Sequence, residues 1–216
     1  MRAISLLYIV AFASIPACAA RAVPTGPGLD PPSLCDALAD NLVVNCGFES
    51  GSFGPWTVSG NSGFSGVGTF NGPGGVGPNS GEDYAYLGAV GEDGFMTQSI
   101  ATTAGQAYDF TFFAASDGNT PNDFTAIFGG DTVYSVSDLP LSKYVERQFL
   151  VTASSSSTLI EFAFRDDPGF LSLDDVSVVP APATAAPEPR FYGLALLSLA
   201  VAGVTISKRH KRRVMQ

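Results

Sequence analysis

The chain has 216 residues, a formal net charge of −9 and only 14% charged residues. Of eleven Lys and Arg, Arg2 and Arg21 lie near the start and six lie from Arg190 onward, so residues 23–189 hold only Lys143, Arg147 and Arg165. All twenty acids fall in that stretch, three positive charges against twenty negative, a net of −17; such a body repels phosphate backbones, which excludes nucleic acid as a partner, and it repels anionic lipid head groups as well.

In chain order, residues 1–22 read as a secretory signal peptide. Arg2 is a minimal basic start, Ile4 to Ile15 is the apolar region, and small residues follow. Ala17-Cys18-Ala19 fits a cleavage site, with Ala20-Arg21-Ala22 as a second choice. Ile15-Pro16-Ala17-Cys18 is a poor lipoprotein box, because Pro16 is out of place. Residues 23–40 form a Pro/Gly-rich strap. Export leaves Cys35 and Cys46, eleven positions apart, in an oxidising compartment, and this predicts one disulfide fastening the strap to the first strand. A thiol metal site has no histidine to complete it: the only His is His210, in the tail.

From 41 to 180 the periodicity is two. Tyr108, Phe110, Phe112 and Ala114 alternate with Asp109 and Thr111. Phe124, Ala126 and Phe128 follow the same rule, as do Ile160, Phe162 and Phe164. Half-buried strands have this pattern, and Gly, Asn, Asp and Pro mark turns at short intervals. The pattern predicts an all-β antiparallel sandwich of about eight to ten short strands, with no amphipathic helix. Residues 60–81 (GNSGFSGVGTFNGPGGVGPNSG) are Gly-rich and polar; they read as a flexible loop in preference to strands with Phe64 and Phe70 packed and turns between.

The C-terminus reads as an address label. Residues 181–190 are a Pro/Ala linker carrying Pro187-Glu188-Pro189. An uncharged run, Phe191 to Ile206, begins a predicted transmembrane helix over 191–207; the run itself is about 24 Å long at 1.5 Å per residue. Lys208, Arg209, Lys211, Arg212 and Arg213 then form a membrane stop in a basic tail, 208–216, expected to stay in the cytoplasm.

This tail resembles the PEP-CTERM sorting signal of Gram-negative bacteria, although Lys and His interrupt the usual arginine run. The resemblance implies that an exosortase, a membrane transpeptidase-like protease, recognises and cleaves at Pro187, Glu188 and Pro189. The body is similar to the galactose-binding-like jelly roll of carbohydrate-binding modules. The opening NLVVNCGFESGSFGPWTVSG (41–60) resembles their first segment, with Cys46 where a glycine is usual. Thr102 to Ser116 matches a mid-domain strand pair and Phe170 to Pro180 the closing strand.

The inventory limits chemistry. With no histidine in the body, Ser-His-Asp, Cys-His and zinc mechanisms are excluded. Adjacent acids such as Asp166-Asp167 and Asp174-Asp175 qualify for paired-carboxylate hydrolysis only by abundance, since neighbours on a strand face opposite ways. Calcium suits the acids better, through hard oxygen ligands. The family resemblance implies a structural calcium joining the first strand to the last at Glu49 and Asp174, with Asp175 as substitute; the competing expectation is that these carboxylates accept loop amides. Trp56 is expected in the core. Tyr84 and Tyr86 share one face and are candidate ligand aromatics or core residues alike.

The expectation is therefore an exported, non-enzymatic β-sandwich protein of the cell surface or exopolysaccharide matrix, transiently held in the inner membrane. The alternatives are a lectin-like carbohydrate-binding module, a permanently anchored envelope protein and, least favoured, a glycan-active enzyme.

Overall fold

Alternation of apolar and polar residues builds two sheets whose apolar phases meet. The computed structural model describes residues 32–182, with 71 and 73 excepted. The predicted signal peptide, residues 23–31 of the strap, Pro187-Glu188-Pro189, the apolar run and the basic tail lie outside these residues. Among the described residues no helix is long and apolar enough to cross a membrane.

Ten strands follow in order: β1 (Thr57–Gly60), β2 (Gly66–Thr69), β3 (Asp83–Leu87), β4 (Gly94–Ala101), β5 (Ala107–Ser116), β6 (Asn122–Phe128), β7 (Asp131–Ser137), β8 (Ser142–Thr152), β9 (Ser157–Asp166) and β10 (Leu171–Pro180). One sheet has the order β1-β4-β9-β6-β7 and the other β2-β3-β10-β5-β8. Every neighbouring pair is antiparallel. The strands expected around Phe110, Phe124 and Phe162 are present as β5, β6 and β9, and the expected sandwich is the observed one.

The inward phases interleave as an aromatic core. Phe112 meets Phe162 edge to face at 5.2 Å, and Phe124 stacks on Phe162 at 5.7 Å. Offset and edge contacts suit the ring quadrupoles and add to the hydrophobic stabilisation. Trp56 is buried as expected, its ring 6.1 Å from that of Phe48 and its indole N–H donating to the Asn45 carbonyl.

Two expectations are corrected. Residues 60–81 are not simply a loop, because β2 lies within them and pairs with β3. Its glycines carry no side-chain pattern, yet they give the strand its place: the Tyr86 ring lies across Gly66 and Gly68, and a Cβ on Gly68 would stand 3.2 Å from Tyr86 Cδ1. Phe64 and Phe70 stay exposed.

The second correction concerns the segment after Asn41, which is not a regular strand. Leu42 N–H donates to Val178 O and Val176 N–H to Cys46 O. On the other side the Gln98 amide replaces a backbone partner, accepting from Val44 N–H (2.8 Å) and donating to Val44 O (3.0 Å). The disulfide Cys35–Cys46 is present, with Cα atoms 6.0 Å apart. It fastens the strap to this irregular segment rather than to a strand, and by loop entropy it contributes about 3 kcal/mol.

Candidate functional site

The site is built on the outer face of the β2-β3-β10-β5-β8 sheet. In β10 the register shifts between Asp174 and Ser177, and Asp175 has a φ of 49°. Such a bulge adds a residue and re-aims side chains. Leu173 and Val176 both enter the core, so Asp174 and Asp175 are aimed together at the same loop. The expectation that adjacent acids face apart fails here for that reason.

The two carboxylates act as a latch. Asp174 Oδ2 accepts from Asn79 N–H (2.7 Å) and Ser80 N–H (3.3 Å), while its Oδ1 accepts from Asp175 N–H (2.8 Å). Asp175 accepts from the Ser80 hydroxyl, the Asn79 side-chain amide and Cys35 N–H. Burial pushes the Asp174 carboxyl up to about 8, with the Asp175 charge adding to the rise and the three amides opposing it. The latch holds both the 79–80 loop and the disulfide-bonded strap over the sheet.

Glu49 makes a similar, more exposed clasp, accepting from Glu82 N–H (3.0 Å) and Asp83 N–H (3.4 Å). Its carboxyl is raised, chiefly by burial. The calcium set Glu49, Asp174 and Asp175 was tested on this geometry. Their oxygens do not gather within 4.8 Å of one another. As arranged, these residues do not fit a shared cation. The grouping of Cys35, Asp36 and Cys46 offers no thiolate, because both sulfurs are in the disulfide.

Two cavities adjoin the latch. The first, about 400 Å³, has Phe113 and Thr111 of β5 in its floor, with Glu146 and Gln148 of β8 and Ser177 of β10 around them. Asp109 and Asp175 also line it, and Leu34, Cys35 and Leu38 of the strap form one wall. Phe113 is half-buried, whereas Glu146 and Gln148 are exposed. A ring with acceptors and an amide around it is a common arrangement for a polar, ring-shaped ligand. The second cavity, about 680 Å³, lies among Val76, Pro78, Asn79, Leu141, Lys143 and Tyr144. Burial and the nearby Asp174 charge raise the Tyr144 hydroxyl far above its ordinary range.

The candidate aromatics Tyr84 and Tyr86 do stand opposite the core residues Ala85 and Leu87. Tyr84 nevertheless has no exposed surface, with its hydroxyl beside Gly72. Tyr86 is half-buried, edge-on to Phe170 at 5.8 Å. Neither ring lines these two cavities. Of the two readings of the pair, the buried Tyr84 sides with a core residue rather than a ligand aromatic, and Gly66, Gly68 and Gly72 of the 60–81 segment lie against the two rings. The aromatic that sequence reasoning missed is Phe113. Its signal was present, since Phe112-Phe113 places an apolar ring in the polar phase of an alternating strand.

No protein-family model matches the chain, and no curated protein matches it. Solved structures do share its fold. TmCBM61, in complex with β-1,4-galactotriose, matches with 18% identity over 66% of this chain and 100% of its own, at a TM-score of 0.51. The enzymatically active domain of bacteriophage CBA120 tailspike protein 4 matches with 16% identity over 65% of this chain, at a TM-score of 0.50. There the match spans only 21% of that protein. The likeness is one of fold: an antiparallel two-sheet sandwich of the jelly-roll type seen in carbohydrate-binding modules.

Proposed function

We propose that the described domain is a carbohydrate-binding module and that the Phe113 cavity is its ligand site. One observation carries this: an outward aromatic ring, Phe113, lies among Thr111, Glu146, Gln148 and Ser177 on a sheet face bounded by the strap. The fold match to TmCBM61, whose structure holds β-1,4-galactotriose, supports the same reading. Asp109, Glu146 and Asp175 make the cavity acidic, so the favoured ligand is a neutral glycan rather than a uronic-acid polymer. Affinity electrophoresis through gels of galactan, xylan and polygalacturonate tests it. Retardation by a neutral polymer that Phe113→Ala abolishes is the expected result. Equal retardation of wild type and variant would sink the site, and no retardation by any polymer would sink the function.

The chain carrying this module is exported and non-enzymatic. It is sorted by an exosortase-type protease at Pro187-Glu188-Pro189, and it ends at the cell surface or in extracellular polysaccharide. What favours this is the order of three signals: Pro-Glu-Pro, the uncharged run 191–206, and the cluster from Lys208 to Arg213. The intact mass of the mature protein from its host decides between sorting and a permanent anchor. A mass ending near residue 189 outside the inner membrane is expected; a mass retaining residues 191–216 in the inner membrane overturns sorting.

A further inference from the structure

A second acidic pair lies away from the latch, where the β5–β6 and β9–β10 connections meet. Asp166 ends β9 on the inward phase that carries Ile160, Phe162 and Phe164. It is fully buried, and neither of its carboxylate oxygens has a hydrogen-bond partner. Its own N–H is used by the Ala89 carbonyl (2.8 Å). Beside it stands Asp117, whose Oδ1 accepts from Asn119 N–H (3.0 Å) and Oδ2 from Phe170 N–H (2.8 Å). The two acids converge on Gly169. A Cβ there would meet Asp166 Oδ1 at 2.5 Å and the Asp117 oxygens at 2.7 and 2.8 Å. The absent side chain lets both carboxylates pack close to the Gly169 backbone, where a Cβ would clash.

No side chain neutralises this pair among the described residues. Arg165 is spent elsewhere, 3.1 Å from Asp123 and 3.5 Å from Asp167, with a further bond to Gly91 O. Arg147 lies over the Tyr134 ring, and Lys143 lines the second cavity on β8. Asp167 is turned away, accepting from Gly91 N–H at 2.7 Å. A buried carboxylate with no donor and an acid for a neighbour is costly unless a proton or a cation joins them. Burial and the charges of Asp117 and Asp167 push Asp166 up to about 7, in keeping with that cost.

We propose that Asp166 and Asp117 are the carboxylate ligands of a calcium ion bound beside Gly169, a site separate from Glu49, Asp174 and Asp175. The chemistry selects the ion. Every donor is oxygen, which suits hard cations, and no histidine or free thiol is present to favour zinc. Calcium accepts irregular sets of six to eight oxygens, so main-chain carbonyls and water complete the shell; magnesium demands a near-octahedral one. The ion ties the β5–β6 connection to the β9–β10 connection at one end of the sandwich.

The test uses the purified full chain, stripped with chelator and titrated calorimetrically with calcium and with magnesium. Wild type is expected to take up a calcium that Asp166→Asn and Asp117→Asn each lose and Asp174→Asn keeps. Melting should cross over: in chelator Asp166→Asn melts above wild type, and in calcium below it. Calcium uptake unchanged in both Asp166→Asn and Asp117→Asn overturns the proposal. So does a wild-type chain with no calcium response whose melting temperature rises toward acid pH in an Asp166-dependent way, because the two acids then share a proton. Asp117→Asn keeps the test open should Asp166→Asn fail to fold.

Discussion

Two acidic pairs in this sandwich, Asp174 with Asp175 and the buried Asp166 with the half-buried Asp117, are treated in opposite ways. At the latch, Asp174 and Asp175 receive amide, hydroxyl and side-chain amide donors from residues 79–80, 35 and 175 itself. At the far pair, Asp166 receives none. Buried charge is tolerated when donors are fixed around it, and becomes a demand for something else when they are not. The first pair is explained by the chain alone. The second is what the chain leaves unfinished.

That contrast can be broken by substitution. Asp174→Ala leaves the N–H groups of Asn79, Ser80 and Asp175 without their acceptor, and a loss of about 3 kcal/mol in urea unfolding is expected. Reducing the Cys35–Cys46 bond loosens the strap that Asp175 holds, and about 2–3 kcal/mol should be lost in the same measurement. Asp166→Asn in chelator should change the sign: removing a charge that nothing answers raises stability by about 1 kcal/mol. If Asp174→Ala and Asp166→Asn shift stability alike, the two pairs are not different in kind.

The pH dependence probes both pairs in one measurement. Both Asp166 and Asp174 have folded-state values raised above the ordinary 3.8, to about 7 and about 8. Between 3.8 and those values the folded chain holds more protons than the unfolded one, so stability falls as pH rises. In chelator, urea midpoints should decline from pH 4 toward pH 8. Calcium should flatten the part of the decline owed to Asp166 and leave the part owed to Asp174. A midpoint that rises over this window would show that both carboxylates are held ionised by their surroundings.

Much of the fold was legible in the sequence because packing enforces period two. β5, β6 and β9 fill one core with alternate large side chains, and such a pattern has few other uses. The disulfide was legible from two cysteines and the expectation of export. β2 was not, since Gly66 and Gly68 yield to the Tyr86 ring and show no side-chain phase of their own. The segment after Asn41 was misread because only its β10 side bonds to strand backbone, while on the other side its partner is the Gln98 side chain. The shared aim of Asp174 and Asp175 depends on a bulge, a backbone event that no side-chain pattern announces. Asp166 could have been found: it continues the inward series Ile160, Phe162, Phe164 with an acid, where alternation demands an apolar residue. Phe113 could have been found by the converse anomaly.

The position of β10 has a consequence for how this domain comes into being. It is the last strand in the chain and the central strand of its sheet, joining β3 to β5, and the Leu42 segment closes on it from the other end of the chain. Until Pro180 has been delivered, β3 and β5 each present an unpaired edge and the early segment has nothing to close upon. A polypeptide that emerges N-terminus first must therefore wait, open-edged, for its final strand. Every truncation upstream of residue 171 removes the keystone of the sheet, leaving a chain prepared to pair with its neighbours instead of with itself.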